Sequence, residues 1–94
     1  MRLSKIDLNL FVVFDAVYRT RNLTRAAETL FITQPAVSNA LARMRKALND
    51  QLFVSTPAGM VPTPMSENII GRVRDALQLL DSSTHAGEDR KSVV

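Results

Sequence analysis

The chain contains no cysteine, no tryptophan and only one histidine in 94 residues. Without cysteine it can hold neither a disulfide nor a thiolate metal site, a composition compatible with a reducing cytosol. The one histidine, His85, lies in a polar stretch, where such a group is solvated rather than a ligand or a base. No His/Asp/Glu group has metal-ligand spacing, so no metal or cofactor is expected. Three glycines at positions 59, 71 and 87 are too scattered for a phosphate-cradling loop. The hydroxyls of "SNA" and "STP" have no base partner in any nucleophile signature. The reading is of a protein that is not an enzyme. Four Phe and one Tyr are too few to build the stacking platform of a single-stranded RNA module. No apolar run reaches the ~20 residues of a membrane span. The start, "MRLSKIDLNLFVVF", lacks the pattern of a secretory signal. A cytoplasmic protein without a membrane partner is expected.

What is present is a 46% apolar, mostly aliphatic composition, enough for the core of one small domain. The charge is uneven. Residues 1–48 hold eight Lys/Arg against three Asp/Glu, a net of +5, whereas residues 49–94 hold four against six, a net of −2. A basic half fits a polyanionic partner, although a merely solvated basic surface is compatible with the same numbers.

The spacing predicts a first helix over 7–20, with Asp7 as N-cap and Leu10, Phe11, Phe14, Val17 and Tyr18 on one face. "RNLTRAAETLF" predicts a short second helix capped by Asn22 or Thr24, and its small Ala26 and Ala27 allow another helix to approach closely. A third helix follows from about Gln34 to Leu48, with Thr33 as cap and Pro35 in the first turn, where its missing N–H does little harm. Only Phe31 to Thr33 separate the second helix from the third, which is helix-turn-helix spacing with no glycine in the turn. Leu52–Thr56 and Met60–Thr63 read as a β-hairpin around "PAG", with Gly59 taking positive φ and Pro62 restricting the second strand to an edge. Thr63 and Pro64 open a long helix to about residue 82, weakened at Gly71. Its apolar residues, Ile69, Val73, Ala76 and Leu80 with Ile70 and Leu77 beside them, step in a heptad-like pattern. Residues 83–94 read as a polar, flexible tail.

On a helical wheel the third helix gathers Val37, Ala40, Leu41, Met44 and Leu48 on its packing side. The opposite side carries Pro35, Ser38, Asn39, Ala42 and Lys46, flanked by Gln34, Arg43 and Arg45. Small and amide groups come first along this face and cations later. A helix in the DNA major groove needs that order, because its early residues meet base edges and its later cations reach phosphates. An ordinary amphipathic surface helix is the rival reading for the helix taken alone.

"LTRAAETLFITQPAVSNALARMRKALNDQLFV" followed by "TPAGMVPTP" resembles the DNA-binding domain of LysR-type bacterial transcriptional regulators, over about residues 6–82. The resemblance implies a mostly α fold: a winged helix-turn-helix (residues 1–62), a linker helix that pairs two subunits (63–82) and the tail (83–94). It implies double-stranded DNA and a second copy of the chain as partners, with RNA polymerase and higher oligomers as further partners of the full-length regulator. The C-terminal effector domain is expected outside this chain, and any small-molecule inducer with it. Carried over residue by residue, Thr33, Gln34, Pro35, Ala36, Ser38, Asn39 and Arg43 fall on the recognition helix. Thr24 and Arg25 open the helix that crosses the DNA backbone. Lys46, and Thr56 and Gly59 in the wing, are further backbone candidates. The linker stripe of Ile69, Ile70, Val73, Ala76, Leu77 and Leu80 is the expected dimer interface. Ser55 stands where the family often has arginine, so a weaker wing contact is expected. The rival to DNA readout is a helical protein-interaction or dimerisation module.

Overall fold

The computed structural model describes the backbone of residues 8–93 and the side chains of residues 8–79. The chain runs α1 (Leu8–Thr20), α2 (Leu23–Leu30), α3 (Gln34–Leu48), β1 (Phe53–Thr56), β2 (Gly59–Pro62) and α4 (Pro64–Val93). The expected cap at Asp7 lies outside the described residues.

The β-branched residues of α1 do not make it a strand, because α2, α3 and α4 all pack against it and tertiary burial overrides local propensity. Contact on several sides also widens its buried arc. Leu10, Phe14 and Val17 are buried as expected, but so are Val13 and Ala16, while Phe11 and Tyr18 are only half-buried. Phe14 sits at the centre with its ring 5.3 Å from that of Phe53, tilted by 45°. Ala26 and Ala27 of α2 are buried, and Val37, Leu41 and Met44 of α3 close the core from the other side. Deleting any one of the larger of these side chains would cost ~2–5 kcal/mol.

The helix-turn-helix is joined without glycine. Phe31 takes the left-handed conformation (φ 58, ψ 41) and caps α2. The Ile32 N–H donates to the Ala27 carbonyl (3.0 Å) and the Phe31 N–H to that of Glu28 (3.2 Å), the bond pair of a Schellman turn. A left-handed residue with a Cβ costs ~1–2 kcal/mol, and these bonds offset it. At the other end of α3, Asn49 (φ 53) ends the helix in the same way, with a residue better suited to that region.

The hairpin is antiparallel, with Phe53 opposite Pro62 and Thr56 opposite Gly59. β1 begins one residue later than the expected Leu52, because Leu52 is left-handed (φ 66) and so cannot continue a strand. Its carbonyl instead accepts from the Thr63 N–H (2.9 Å) and the Ser66 hydroxyl (2.5 Å). Asp50 completes this corner by accepting from the Leu52 N–H (2.8 Å) and the Thr63 hydroxyl (2.7 Å). Ser66 is the buried polar side chain of the described core, and this network satisfies it.

Two expectations for α4 need correction. The helix does not end near 82 in a polar tail: its backbone is helical to Val93, about 45 Å in all. No proline follows Pro64 to stop it, and Glu88, Arg90 and Lys91 have favourable helix propensity. Nor is the start of α4 separate from the winged unit. Ile70 and Val73 are buried in the same core as Phe14, with Met65, Ile69 and Leu77 packed against it. A boundary at residue 62 therefore cuts through one hydrophobic core.

Candidate nucleic-acid interface

Asn22 caps α2 by accepting from the Arg25 N–H (2.9 Å), and Thr33 caps α3 by accepting from the Ala36 N–H (3.2 Å). Of the two caps considered for α2, Asn22 is the one used, which leaves the exposed Thr24 hydroxyl facing Gln34 Oε1 at 3.5 Å. The first turns of α2 and α3 thus converge. Gln34, Pro35 and Asn39 are exposed on α3, with Ala36 and Ser38 half-buried. Amide, hydroxyl and small groups share this end of the helix, and they hydrogen-bond or contact base edges without adding charge.

The cations of α3 diverge in their surroundings. Arg45, counted with the later charges, donates from Nε to the Gln51 carbonyl (2.7 Å) and fixes the loop after the helix. Lys46 is exposed, twelve residues or ~18 Å beyond Gln34 along the axis. Arg43 is exposed and, with Ala36 and Asn39, lines a groove of about 540 Å³ against Asn9, Val12 and Val13 of α1. Arg25 is exposed beside Thr24.

Two wing candidates change meaning. The Thr56 hydroxyl donates to the Gly59 carbonyl (2.8 Å) and accepts from the Ala58 N–H (3.1 Å). Its donor is engaged in the hairpin turn and is not free for a phosphate. Gly59 has a packing reason to be glycine. Its φ is +120, and a Cβ built there would stand 2.8 Å from the Arg21 carbonyl oxygen. That carbonyl accepts from the Met60 N–H (2.9 Å), so the wing is pinned to the end of α1.

Within the linker stripe, Ile70 and Val73 are buried in the chain's own core, which removes them from a dimer surface. Ile69, Ala76 and Leu77 are half-buried, and the Leu80 side chain lies outside the described ones. Leu79, absent from the expected stripe, is 70% exposed.

Sequence reasoning missed the polar seam between α1 and α4. Tyr18 donates to Glu67 (2.5 Å), which raises the Tyr18 pKa above its ordinary 10.0. The guanidinium groups of Arg21 and Arg74 lie 4.6 and 5.1 Å from the Tyr18 ring centre, within cation–π range. Arg74 also pairs with Asp15 (2.8 Å). No periodic signal marks this seam, because its members are 49 and 59 residues apart in sequence.

Three packed helices with a hairpin after the third, and convergent polar groups at the starts of α2 and α3, define a winged helix-turn-helix domain. Residues 8–67 match the family of bacterial regulatory helix-turn-helix proteins of lysR type, and the chain belongs to that family as the DNA-binding domain of a LysR-type transcriptional regulator. The family is one of regulators, not of enzymes. The transcriptional regulator LeuO of Escherichia coli K12 is 49% identical over 81 residues, covering 86% of this chain and 26% of that protein. The activator NahR of Pseudomonas putida is 48% identical over 80 residues, covering 85% and 27%. The chain therefore spans about a quarter of the length of these relatives. Among solved structures, a probable transcriptional regulator of Pseudomonas aeruginosa superimposes with a TM-score of 0.85 at 42% identity, over 89% of this chain and 28% of that one. The BenM DNA-binding domain in complex with catB site 1 DNA superimposes at 0.83, over 93% and 98%; at 23% identity it attests the fold. Among the described residues no helix is long and apolar enough to cross a membrane.

Proposed function

We propose that this chain binds duplex DNA sequence-specifically, with the first turns of α3 in the major groove and two copies joined through α4. The carrying observation is the convergence of exposed Gln34 and Asn39, half-buried Ser38 and the neighbouring Thr24 at one end of a capped, rigidly packed helix pair. Gln34, Ser38 and Asn39 read base edges, and Arg25, Arg43 and Lys46 hold phosphates. Thr33 sets the angle of α3 through its cap. Pro35 and Ala36 let the backbone come close. Pairing is supported by the length of α4 and by exposed Leu79 beside half-buried Ala76 and Leu77. Contact with RNA polymerase, and effector control from a further domain, are proposals for the whole regulator by likeness to its relatives.

Selection of bound duplexes from a random pool tests the reading. A two-fold arrangement predicts a partly palindromic site, with half-sites a whole number of helical turns apart. Recovery of no consensus would favour the rival interaction module. An asymmetric half-site bound with full affinity by a single chain would remove the pairing.

A further inference from the structure

We propose that the polar seam between α1 and α4 sets the spacing of the two half-sites on DNA, with Tyr18 and Arg74 as positioning residues that fix how the two helices cross. The inference rests on the paired DNA-binding reading above and assigns part of the specificity to residues outside the recognition helix. Two ties cross the seam. The Tyr18 hydroxyl donates to Glu67 (2.5 Å), and Arg74 Nε donates to Asp15 (2.8 Å). Glu67 and Arg74 stand two turns apart on α4, ~10 Å along its axis. Asp15 and Tyr18 are one turn apart on α1. The Arg74 guanidinium also lies 5.1 Å from the centre of the Tyr18 ring, and that of Arg21 lies 4.6 Å from it. The two ties therefore meet at one aromatic ring.

Ile70 and Val73 lie between the two ties along α4 and are buried in the core. Apolar burial is non-directional, so it holds α4 against the domain without fixing its rotation or slide. Hydrogen bonds weaken steeply with angle, and two of them two turns apart admit one register. They add little stability, because Arg74 is 45% exposed and an exposed pair contributes little. Their effect is geometric. α1 carries that geometry to the reading end. It packs on α2 and α3, and the Arg21 carbonyl just past its end accepts from the Met60 N–H of the wing (2.9 Å). On the other side of the seam, Ala76, Leu77 and Leu79 of the pairing surface follow Arg74 within two turns. The crossing of α1 and α4 thus sets how far apart, and in what phase, two copies of α3 stand. Each added base pair advances a half-site by ~3.4 Å and about a tenth of a turn. Both copies can follow such a shift only by breaking a tie.

The test compares the 94-residue chain with Arg74→Ala, Tyr18→Phe, the double variant and Arg19→Gln. Tyr18→Phe keeps the ring and removes only the hydroxyl, so it is expected to fold. Arg19 pairs with Asp15 along α1 (3.1 Å) without crossing to α4, so its variant is the control. Affinity is measured for a single selected half-site and for paired half-sites at the selected spacing, one base pair closer and one base pair farther. Sedimentation checks that each variant still pairs. The single half-site should bind the seam variants as it binds the parent. The preference for the selected spacing over its neighbours should fall by about two- to fivefold in Arg74→Ala or Tyr18→Phe, and by more in the double variant. Arg19→Gln should keep the parent's preference. Folded, paired seam variants that keep that preference overturn the inference, even where affinity falls on every duplex. Seam variants that no longer pair would make the seam part of the dimer interface, which also overturns it. A parent chain with no spacing preference would remove the pairing reading and this inference with it.

Discussion

Replacing Gly59 and Gly71 separately by alanine should move stability in opposite directions. At Gly59 a Cβ would meet the Arg21 carbonyl oxygen at 2.8 Å, and φ is +120. The obstacle is backbone, so it cannot swing aside. A non-glycine residue in such a conformation costs ~1–3 kcal/mol. Pushing the carbonyl away also weakens the 2.9 Å bond from the Met60 N–H, a further ~0.5–1.5 kcal/mol. The expected loss is ~2–4 kcal/mol, which lowers Tm by roughly 10–30 °C for a domain of this size. At Gly71 nothing lies within 4 Å of the added Cβ, and the residue is inside α4. There alanine should gain ~1 kcal/mol through helix propensity, raising Tm by roughly 4–8 °C. Thermal unfolding followed by far-UV circular dichroism reads both. A Gly59→Ala variant as stable as the parent would refute the claim that the wing is pinned against α1.

Further outcomes follow from the same contacts. Thr33→Ala removes the cap that accepts from the Ala36 N–H and should cost ~1 kcal/mol in urea unfolding; an unchanged midpoint would deny the cap its role. Tyr18 is the sole tyrosine and there is no tryptophan, so its ultraviolet titration is unobscured. Its pKa is raised, chiefly by the hydrogen bond to Glu67, so the midpoint should lie above 10.0 and fall in Glu67→Ala. A raised pKa means that the protonated phenol is favoured in the fold. That contribution is complete below pH 10 and is lost as pH rises through the folded value, so the sequence of loss runs toward alkali, and neutral-pH stability should be insensitive to Tyr18 ionisation. A chain ending after Pro62 loses Ile70 and Val73 from the core, ~3–6 kcal/mol of burial against a total stability of only ~5–15 kcal/mol. It should lose cooperative unfolding, whereas a chain ending after Leu79 should keep it.

The starts of α2, α3 and α4, with their caps at Asn22, Thr33 and Thr63, were legible because each rests on local chemistry. Thr33 and Pro35 mark the start of α3, and the periodicity of Val37, Leu41 and Met44 marks its buried side. The positive φ of Gly59 followed from turn chemistry. What was not legible depends on contacts distant in sequence. Val13 and Ala16 are buried because three helices surround α1. Thr56 is absorbed by its own turn, although the family resemblance offered it to DNA, and Ile70 and Val73 are absorbed by their own core, although heptad-like spacing offered them to a second copy. The left-handed turn at Phe31 had no glycine to announce it. The end of α4 was misplaced because polar composition was read as disorder, although charged residues also propagate a helix.

The account stands most directly on Gln34 reading bases. The measurement is the ratio of affinities for the selected duplex and a scrambled one, taken for the parent chain and for Gln34→Ala across one salt series, with unfolding checked in parallel. Gln34 is exposed at the start of α3, so folding should be nearly unaffected. The account predicts a loss of ~1–3 kcal/mol on the selected duplex, little change on the scrambled one and an unchanged salt slope. A folded Gln34→Ala chain that keeps the parent's ratio, or that weakens on both duplexes equally, would contradict the assignment of the first turns of α3 as the reader of sequence.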